Sequence, residues 1–269
     1  MKNQIWLAIL FILFIVSGTF GQNQQNDPAI PKIFYTIPNQ EKATVVKDVI
    51  YKKVGEKELK IDVYSPAEMK SGTPLPVVLF LSGASDAKNW NVFKNYGELA
   101  AANGIIGVTF DKRFPQGEAG ITTGLEDTND LISFLRQNAD KYNIDKDRVC
   151  LWAFSAGGSL IFAGMQENKL FIRCLVSYYA ITPMNVRRQV TTLGDKLPPM
   201  LIARAGKDSQ FINNSIDLFI QEAVNRNARV NFYNYPDGVH AFELFNDTES
   251  TREILRHTFQ FMKDQLGVK

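Results

Sequence analysis

Ser155 closes an apolar run, Val149-Cys150-Leu151-Trp152-Ala153-Phe154, and precedes Ala156-Gly157-Gly158. That setting can mount a nucleophile. A tight strand-to-helix turn strains the serine backbone and brings strand and helix so close that positions two before and two after it must be nearly free of side chain. Ala153 and Gly157 meet this demand, alanine standing where the G-x-S-x-G pattern has its first glycine. The same residues suit an ordinary helix start, with Ser155 capping a helix that begins at Ala156.

A serine hydroxyl is a poor nucleophile at neutral pH and needs a base within hydrogen-bond reach. Histidine is the usual base, and the chain has two. His257 falls inside the C-terminal helical pattern, which suits a packed or half-exposed role. His240 lies in Asp237-Gly238-Val239-His240-Ala241-Phe242, a loop beyond the last expected strand and before the last helix. The base in turn needs a carboxylate to set its tautomer and stabilise the imidazolium. Asp208, in Arg204-Ala205-Gly206-Lys207-Asp208-Ser209, follows a strand expected to end near Ala205; its alternative role is to cap the next helix. Asp237 is the weaker candidate, because it would have to fold back onto the ring from the same short loop. For a tetrahedral oxyanion, the N–H of Ala156 is one expected donor, aided by the helix dipole. The second is expected from Leu81-Ser82-Gly83-Ala84-Ser85, with the N–H of Ala84 favoured. The chain order Ser155, Asp208, His240 is that of a nucleophile elbow on such a sheet.

Bringing these groups together requires strands whose carboxyl ends lie side by side. Val45 to Tyr51 and Leu59 to Tyr64 read as an antiparallel pair about the Val54-Gly55-Glu56-Lys57 turn, because Leu59, Ile61 and Val63 alternate with Lys60, Asp62 and Tyr64. Continuously apolar runs follow, as in a parallel sheet covered on both faces: Pro76 to Leu81, Ile105 to Phe110, Val149 to Phe154, Ile172 to Tyr178, Met200 to Ala205 and Val230 to Tyr235. Helical patterns separate them: Val92 to Asn103, a face with Leu131, Leu135 and Ala139, another with Ile216, Phe219, Ile220, Ala223 and Val224, and a last stripe of Leu255, Phe259, Met262 and Leu266. The expected fold is α/β: a doubly wound, mostly parallel sheet of about eight strands with an antiparallel N-terminal pair and a short cap connection from Ile181 to Pro199.

A chain of 269 residues, 45% hydrophobic and 22% charged, suits one large domain. Its 30 basic and 28 acidic residues nearly cancel, and without a basic run or aromatic-basic array no nucleic-acid partner is expected. The first residues read as an export signal: Lys2, then apolar Ile5 to Val16, short of the about 20 residues a bilayer span needs, then small residues from Ser17 to Gly21. Cleavage is expected after Gly21, or alternatively after Gly18, an uncleaved anchor being the other reading. Residues 1–21 are assigned to the signal, 22–42, polar and carrying Pro28, Pro31 and Pro38, to a flexible linker, and 43–269 to the domain. Secreted or periplasmic localisation is expected, with no stable membrane association after cleavage. Cys150 and Cys174 lie in apolar runs and are expected as buried free thiols. Two strand cysteines and two separated histidines build no metal site, and no cofactor is expected.

The stretches Asp130-Leu131-Ile132-Ser133-Phe134-Leu135, Tyr142-Asn143-Ile144-Asp145-Lys146-Asp147-Arg148-Val149 and Ser155-Ala156-Gly157-Gly158 carry a resemblance. With Leu59-Lys60-Ile61-Asp62-Val63-Tyr64 and the ending from Gly238 to Phe261, the chain resembles the α/β-hydrolase superfamily, and within it the dienelactone-hydrolase-like, small secreted esterase branch. The resemblance implies the α/β-hydrolase fold, with Ser155, Asp208 and His240 as nucleophile, acid and base. The sequence departs from it at Ala153, at Ser82, where many relatives have histidine, and at Ala84, which interrupts the glycine run. The implied activity is hydrolysis of a carboxylic ester through an acyl-serine intermediate, on a small-molecule or carbohydrate-linked substrate. A peptidase or amidase would use the same triad, and a catalytically inactive binding protein of the same fold is a third reading. Trp90, Phe154, Tyr178, Tyr179 and Phe242 are candidate pocket walls or core aromatics. Arg187 and Arg188 are a candidate site for an acidic substrate or a solvated surface.

Overall fold

Strands covered on both sides can afford no polar face, and five of the runs expected from the sequence are buried almost throughout. A computed structural model describes residues 32–69, 72–83, 91–113, 118–166 and 168–269. Its strands are β1 (Thr44–Val54), β2 (Lys57–Ser65), β3 (Leu75–Leu81), β4 (Ile106–Phe110), β5 (Ile144–Phe154), β6 (Ile172–Tyr178), β7 (Met200–Ala205) and β8 (Val230–Tyr235). Its α-helices are α1 (Asn91–Ala102), α2 (Glu118–Gln137), α3 (Ala139–Tyr142), α4 (Met184–Leu193), α5 (Gln210–Asn225), α6 (Phe242–Phe245) and α7 (Glu249–Leu266). The eight strands form one sheet in the order β1-β2-β4-β3-β5-β6-β7-β8. β2 pairs antiparallel with β1 and with β4, and every later pairing is parallel. This is the doubly wound sheet with an antiparallel start that the hydrophobic pattern predicts.

The period of two along β5 sorts its side chains into two cores. Val149, Leu151 and Ala153 enter an aliphatic layer with Leu79, Leu175 and Ile202, roofed by Leu131 and Leu135 of α2, Val186 of α4 and Ile216 of α5. Cys150, Trp152 and Phe154 enter an aromatic layer with Phe80, Tyr96 of α1, Tyr178, and Phe259 of α7. Trp152 alone packs against Phe80, Tyr96, Phe154, Tyr178 and Phe259, with ring centroids 4.8–5.9 Å away. Cys150 and Cys174 face each other in register on β5 and β6, both buried and both free thiols, and burial pushes the Cys150 thiol up.

β5 starts at Ile144 rather than Val149, Ala139 lies in α3 apart from Leu131 and Leu135 of α2, and the connection from Ile181 to Pro199 carries α4; two further differences from the sequence-based elements bear on the site. The segment after Ser155 is a 3₁₀ helix, Ser155–Gly164, rather than an α-helix. Two successive glycines weaken α-helical winding there, and Ser159 Oγ donates to the carbonyl of Ala156 three residues back, at 3.0 Å. Residues 32–42, read as the end of a linker, are seated on the domain. Ile33 is buried in the aromatic core, where Tyr35 and Ile37 also pack, the Tyr35 ring stacks on Phe259, and the Phe34 N–H donates to the carbonyl of Glu243 at 3.0 Å. The prolines and amides nearby masked this alternation of apolar residues. The signal of residues 1–21 and the linker up to residue 31 lie outside the described residues. Among the described residues no helix is long and apolar enough to cross a membrane.

Candidate active site

Four adjacent strands leave the carboxyl edge of the sheet in the order β5, β6, β7, β8, and the segments that follow them carry Ser155, Tyr179, Asp208 and His240. Ser155 adopts φ 52°. The left-handed region is unfavourable for a side chain with a Cβ, at a cost on the order of 1–3 kcal/mol, so surrounding contacts must impose it. They come from two directions. A Cβ on Gly157 would overlap the carbonyl oxygens of Leu81 and Ser82, and one on Gly83 would stand 2.9 Å from Ser155 Cβ and 3.4 Å from Ser155 Oγ. The exit of β3 is therefore pressed against the serine turn. From the other side, the Ile181 N–H donates to the carbonyl of Ser155 at 2.9 Å. Ala153 is fully buried in the aliphatic layer, so its methyl group has a place there.

Asp208 and His240 meet across the exits of β7 and β8. His240 Nδ1 and Asp208 Oδ2 are 2.6 Å apart, a geometry in which the ring N–H donates to the carboxylate and the far nitrogen is left as the basic one. The carboxylate is 5% exposed, the imidazole 41%. The second carboxylate oxygen accepts the Ser209 N–H at 2.6 Å, while Ser209, not Asp208, caps α5. Backbone bonds stitch the two exits together: Gly206 N–H to the Tyr235 carbonyl at 2.7 Å and Lys207 N–H to the Gly238 carbonyl at 2.8 Å. Asp237 points elsewhere, 79% exposed and paired with Lys207. His257 bonds the Tyr233 hydroxyl at 2.9 Å. Among the described residues no hydrogen bond joins Ser155 Oγ to His240, whose bond goes to Asp208.

Ala156 opens the 3₁₀ helix beside Ser155 and is partly exposed. Ala84, the other expected donor, lies outside the described residues, as does Trp90, whereas its neighbour Gly83 touches Ser155. Of the aromatic candidates, Phe154, Tyr178 and Phe242 are core residues. Tyr179 belongs to the same core, and its ring centroid also lies 4.7 Å from that of His240. Arg187 lies near Glu222, whose carboxyl is held below its ordinary range by hydrogen bonds from Thr191 and Arg226, with the Arg187 charge adding the least.

Two residues at this edge, Lys112 and Glu243, escape sequence reasoning, and a third, Tyr179, is named by the sequence only as a pocket wall or core aromatic. Tyr179 takes φ 37° directly after β6. Lys112, fully buried beyond β4, donates to the Ser82 hydroxyl. Glu243, 1% exposed in α6, accepts from the Tyr179 hydroxyl. A lone ionisable residue inside an apolar stretch, as in Phe242-Glu243-Leu244-Phe245, is the signal that could have found Glu243; Lys112, between Asp111 and Arg113, carries no such signal.

A sheet of this crossover order, with a serine held left-handed at the exit of β5, defines an α/β-hydrolase fold. The chain belongs to the BD-FAE family, whose model matches residues 61–233. It is similar to a bifunctional acetylxylan esterase/xylanase from Neocallimastix patriciarum, 32% identical over 117 residues, covering 41% of this chain and 16% of that protein. It is also similar to a probable isoprenylcysteine alpha-carbonyl methylesterase of Oryza sativa subsp. japonica, 32% identical over 128 residues, covering 46% and 29% respectively. The chain thus spans less than a third of the length of either relative. Among solved structures, esterase 2 from Thermogutta terrifontis phosphorylated by paraoxon superposes with a TM-score of 0.69 at 20% identity, covering 86% of this chain and 98% of that one. A truncated carbohydrate esterase from gut microbiota superposes with a TM-score of 0.66 at 17% identity, covering 83% and 96%. At that identity the likeness is one of fold.

Proposed function

We propose that the protein is a serine esterase in which Ser155 attacks the ester carbonyl, His240 removes its proton and Asp208 steadies the imidazolium. The observation that carries this reading is the 2.6 Å bond between Asp208 and His240, on the same sheet edge as a serine held at φ 52°. His240 then protonates the departing alcohol and activates water to release the acyl group. The missing serine–histidine bond is compatible with this role, since catalytic hydrogen bonds in unliganded enzymes are often long and tighten only with substrate bound. The N–H groups of Ala156 and Ala84 receive the oxyanion in this scheme; Gly83 against Ser155 Oγ supports a donor from the loop after β3. The names of the acetylxylan esterase and the carbohydrate esterase support an ester on a carbohydrate alcohol. The pattern from Lys2 to Gly21 supports action outside the cytoplasm.

A fluorophosphonate probe should label folded protein at Ser155, and Ser155→Ala should lower kcat on p-nitrophenyl acetate by on the order of 10⁴- to 10⁶-fold with unfolding unchanged. Retained turnover in that variant would overturn the assignment. Aminoacyl anilides run beside the ester separate an esterase from an amidase, and acetylated xylan beside p-nitrophenyl acetate tests the carbohydrate alcohol.

A further inference from the structure

Glu243 is the most deeply buried carboxyl near the proposed base, 1% exposed. Its Oε1 accepts from the Tyr179 hydroxyl. The Tyr96 hydroxyl of α1 also faces the carboxyl, as do Tyr178 at the end of β6, Tyr179 just beyond it and His240 on its own loop. Burial pushes the Glu243 carboxyl above its ordinary range. Such a group, surrounded by Tyr96, Tyr178, Tyr179 and Phe242, costs stability relative to an apolar residue of similar volume. What it supplies is geometry.

Tyr179 is the element it holds. The Tyr179 backbone sits at φ 37°, fixed by its N–H bond to the Ala203 carbonyl at 2.8 Å. Its ring spans the site, with centroids 6.4 Å from Phe154 next to the nucleophile and 4.7 Å from the His240 imidazole. With the hydroxyl end tied to Glu243 and the backbone end tied to β7, the ring cannot swing away from the imidazole. Glu243 is itself held from outside the loop, because its carbonyl accepts the Phe34 N–H of the N-terminal arm at 3.0 Å. Asp208 fixes one edge of the imidazole, and the Tyr179 ring, tilted 58° to it, packs beside it.

We propose that Glu243 is a positioning residue for the base: by bonding the Tyr179 hydroxyl it holds the ring against which the His240 imidazole is oriented. This inference rests on the Ser155–His240–Asp208 reading. A displacement of about 1 Å in a catalytic group costs on the order of 10²-fold in rate, which sets the scale of the expected effect.

The test compares Glu243→Leu, Glu243→Gln, Tyr179→Phe and Ser155→Ala in the full chain, with p-nitrophenyl acetate as substrate and thermal unfolding measured in parallel. Glu243→Leu should lower kcat on the order of 10- to 10²-fold with KM within about twofold. Glu243→Gln keeps an oxygen for the Tyr179 hydroxyl and should restore kcat to within about threefold of the parent, a rescue that mere filling of space would not produce. Tyr179→Phe keeps the ring and loses the tie, so it should fall between the two. If Glu243→Leu does not fold, the comparison of Tyr179→Phe with Glu243→Gln carries the test. Equal kcat in the parent and in folded Glu243→Leu or Tyr179→Phe, or a Gln variant as slow as the Leu variant, would overturn the inference. Failure of Ser155→Ala to lose activity would overturn instead the triad on which it rests.

Discussion

The Ser155 side and the His240 side of this sheet edge are held by different means. Around Ser155 the constraints are in the main chain: the carbonyls of Leu81 and Ser82 occupy the space of an absent Gly157 side chain, and Ile181 bonds the Ser155 carbonyl. Around His240 they are in side chains: a carboxylate on one edge of the imidazole, a tyrosine ring tilted against it, and a buried glutamate behind the tyrosine. The difference follows from what each group must do. A nucleophile needs one fixed position for an atom close to the backbone, which backbone packing secures. A base on a loop must present one ring nitrogen in one tautomer, which only a specific acceptor and a specific surface can define.

If that division holds, substitutions on the two sides should fail in different ways. Asp208→Asn leaves the shape of the site intact but removes the acceptor that selects the tautomer, and kcat should fall on the order of 10⁴-fold while thermal unfolding changes little. A drop of less than tenfold would show that the base does not depend on this carboxylate. Gly157→Ala should act through folding instead. Its new methyl group meets two carbonyl oxygens, and forcing the β3 exit away should cost about 3 kcal/mol or more, read as a lower unfolding midpoint; an unchanged midpoint would mean that the turn is not packed as described.

The smallest effect is one of pH and belongs to Glu243. Its carboxyl is raised by burial from the ordinary value of 4.5, so the native state keeps the proton at pH values where the unfolded chain has lost it. Parent stability should therefore be fullest below 4.5 and decline as pH rises through the raised native value. Glu243→Gln has no proton to lose. Its stability relative to the parent should increase from pH 4 to pH 8, and a difference independent of pH would show that this carboxyl titrates alike in both states.

Much of the architecture was legible before any coordinates. Strands covered on both faces must be continuously apolar, so β6 and β7 could be bounded to the residue, and the serine turn announced itself because close approach tolerates only Ala153 and Gly157. Asp208 and His240 were legible because chain order and strand ends restrict which acid and base can meet. The placement of β4 between β2 and β3 was not, since several orders bury the same apolar runs equally well. Residues 32–42 were misread because their prolines and amides outweighed Ile33, Tyr35 and Ile37, which find partners only once α7 is packed.

The sequence by itself therefore determined the kinds of element, the tight turn at Ser155 and the candidates Asp208 and His240 that meet at the same sheet edge, because periodicity and steric demand are local properties. Tertiary structure alone decided that Tyr179 lies against the imidazole, that Glu243 ties it there, and that Lys112 is buried on Ser82. Those contacts join residues far apart in the chain. Their side chains carry no local sign of these partners until the sheet brings its exits side by side.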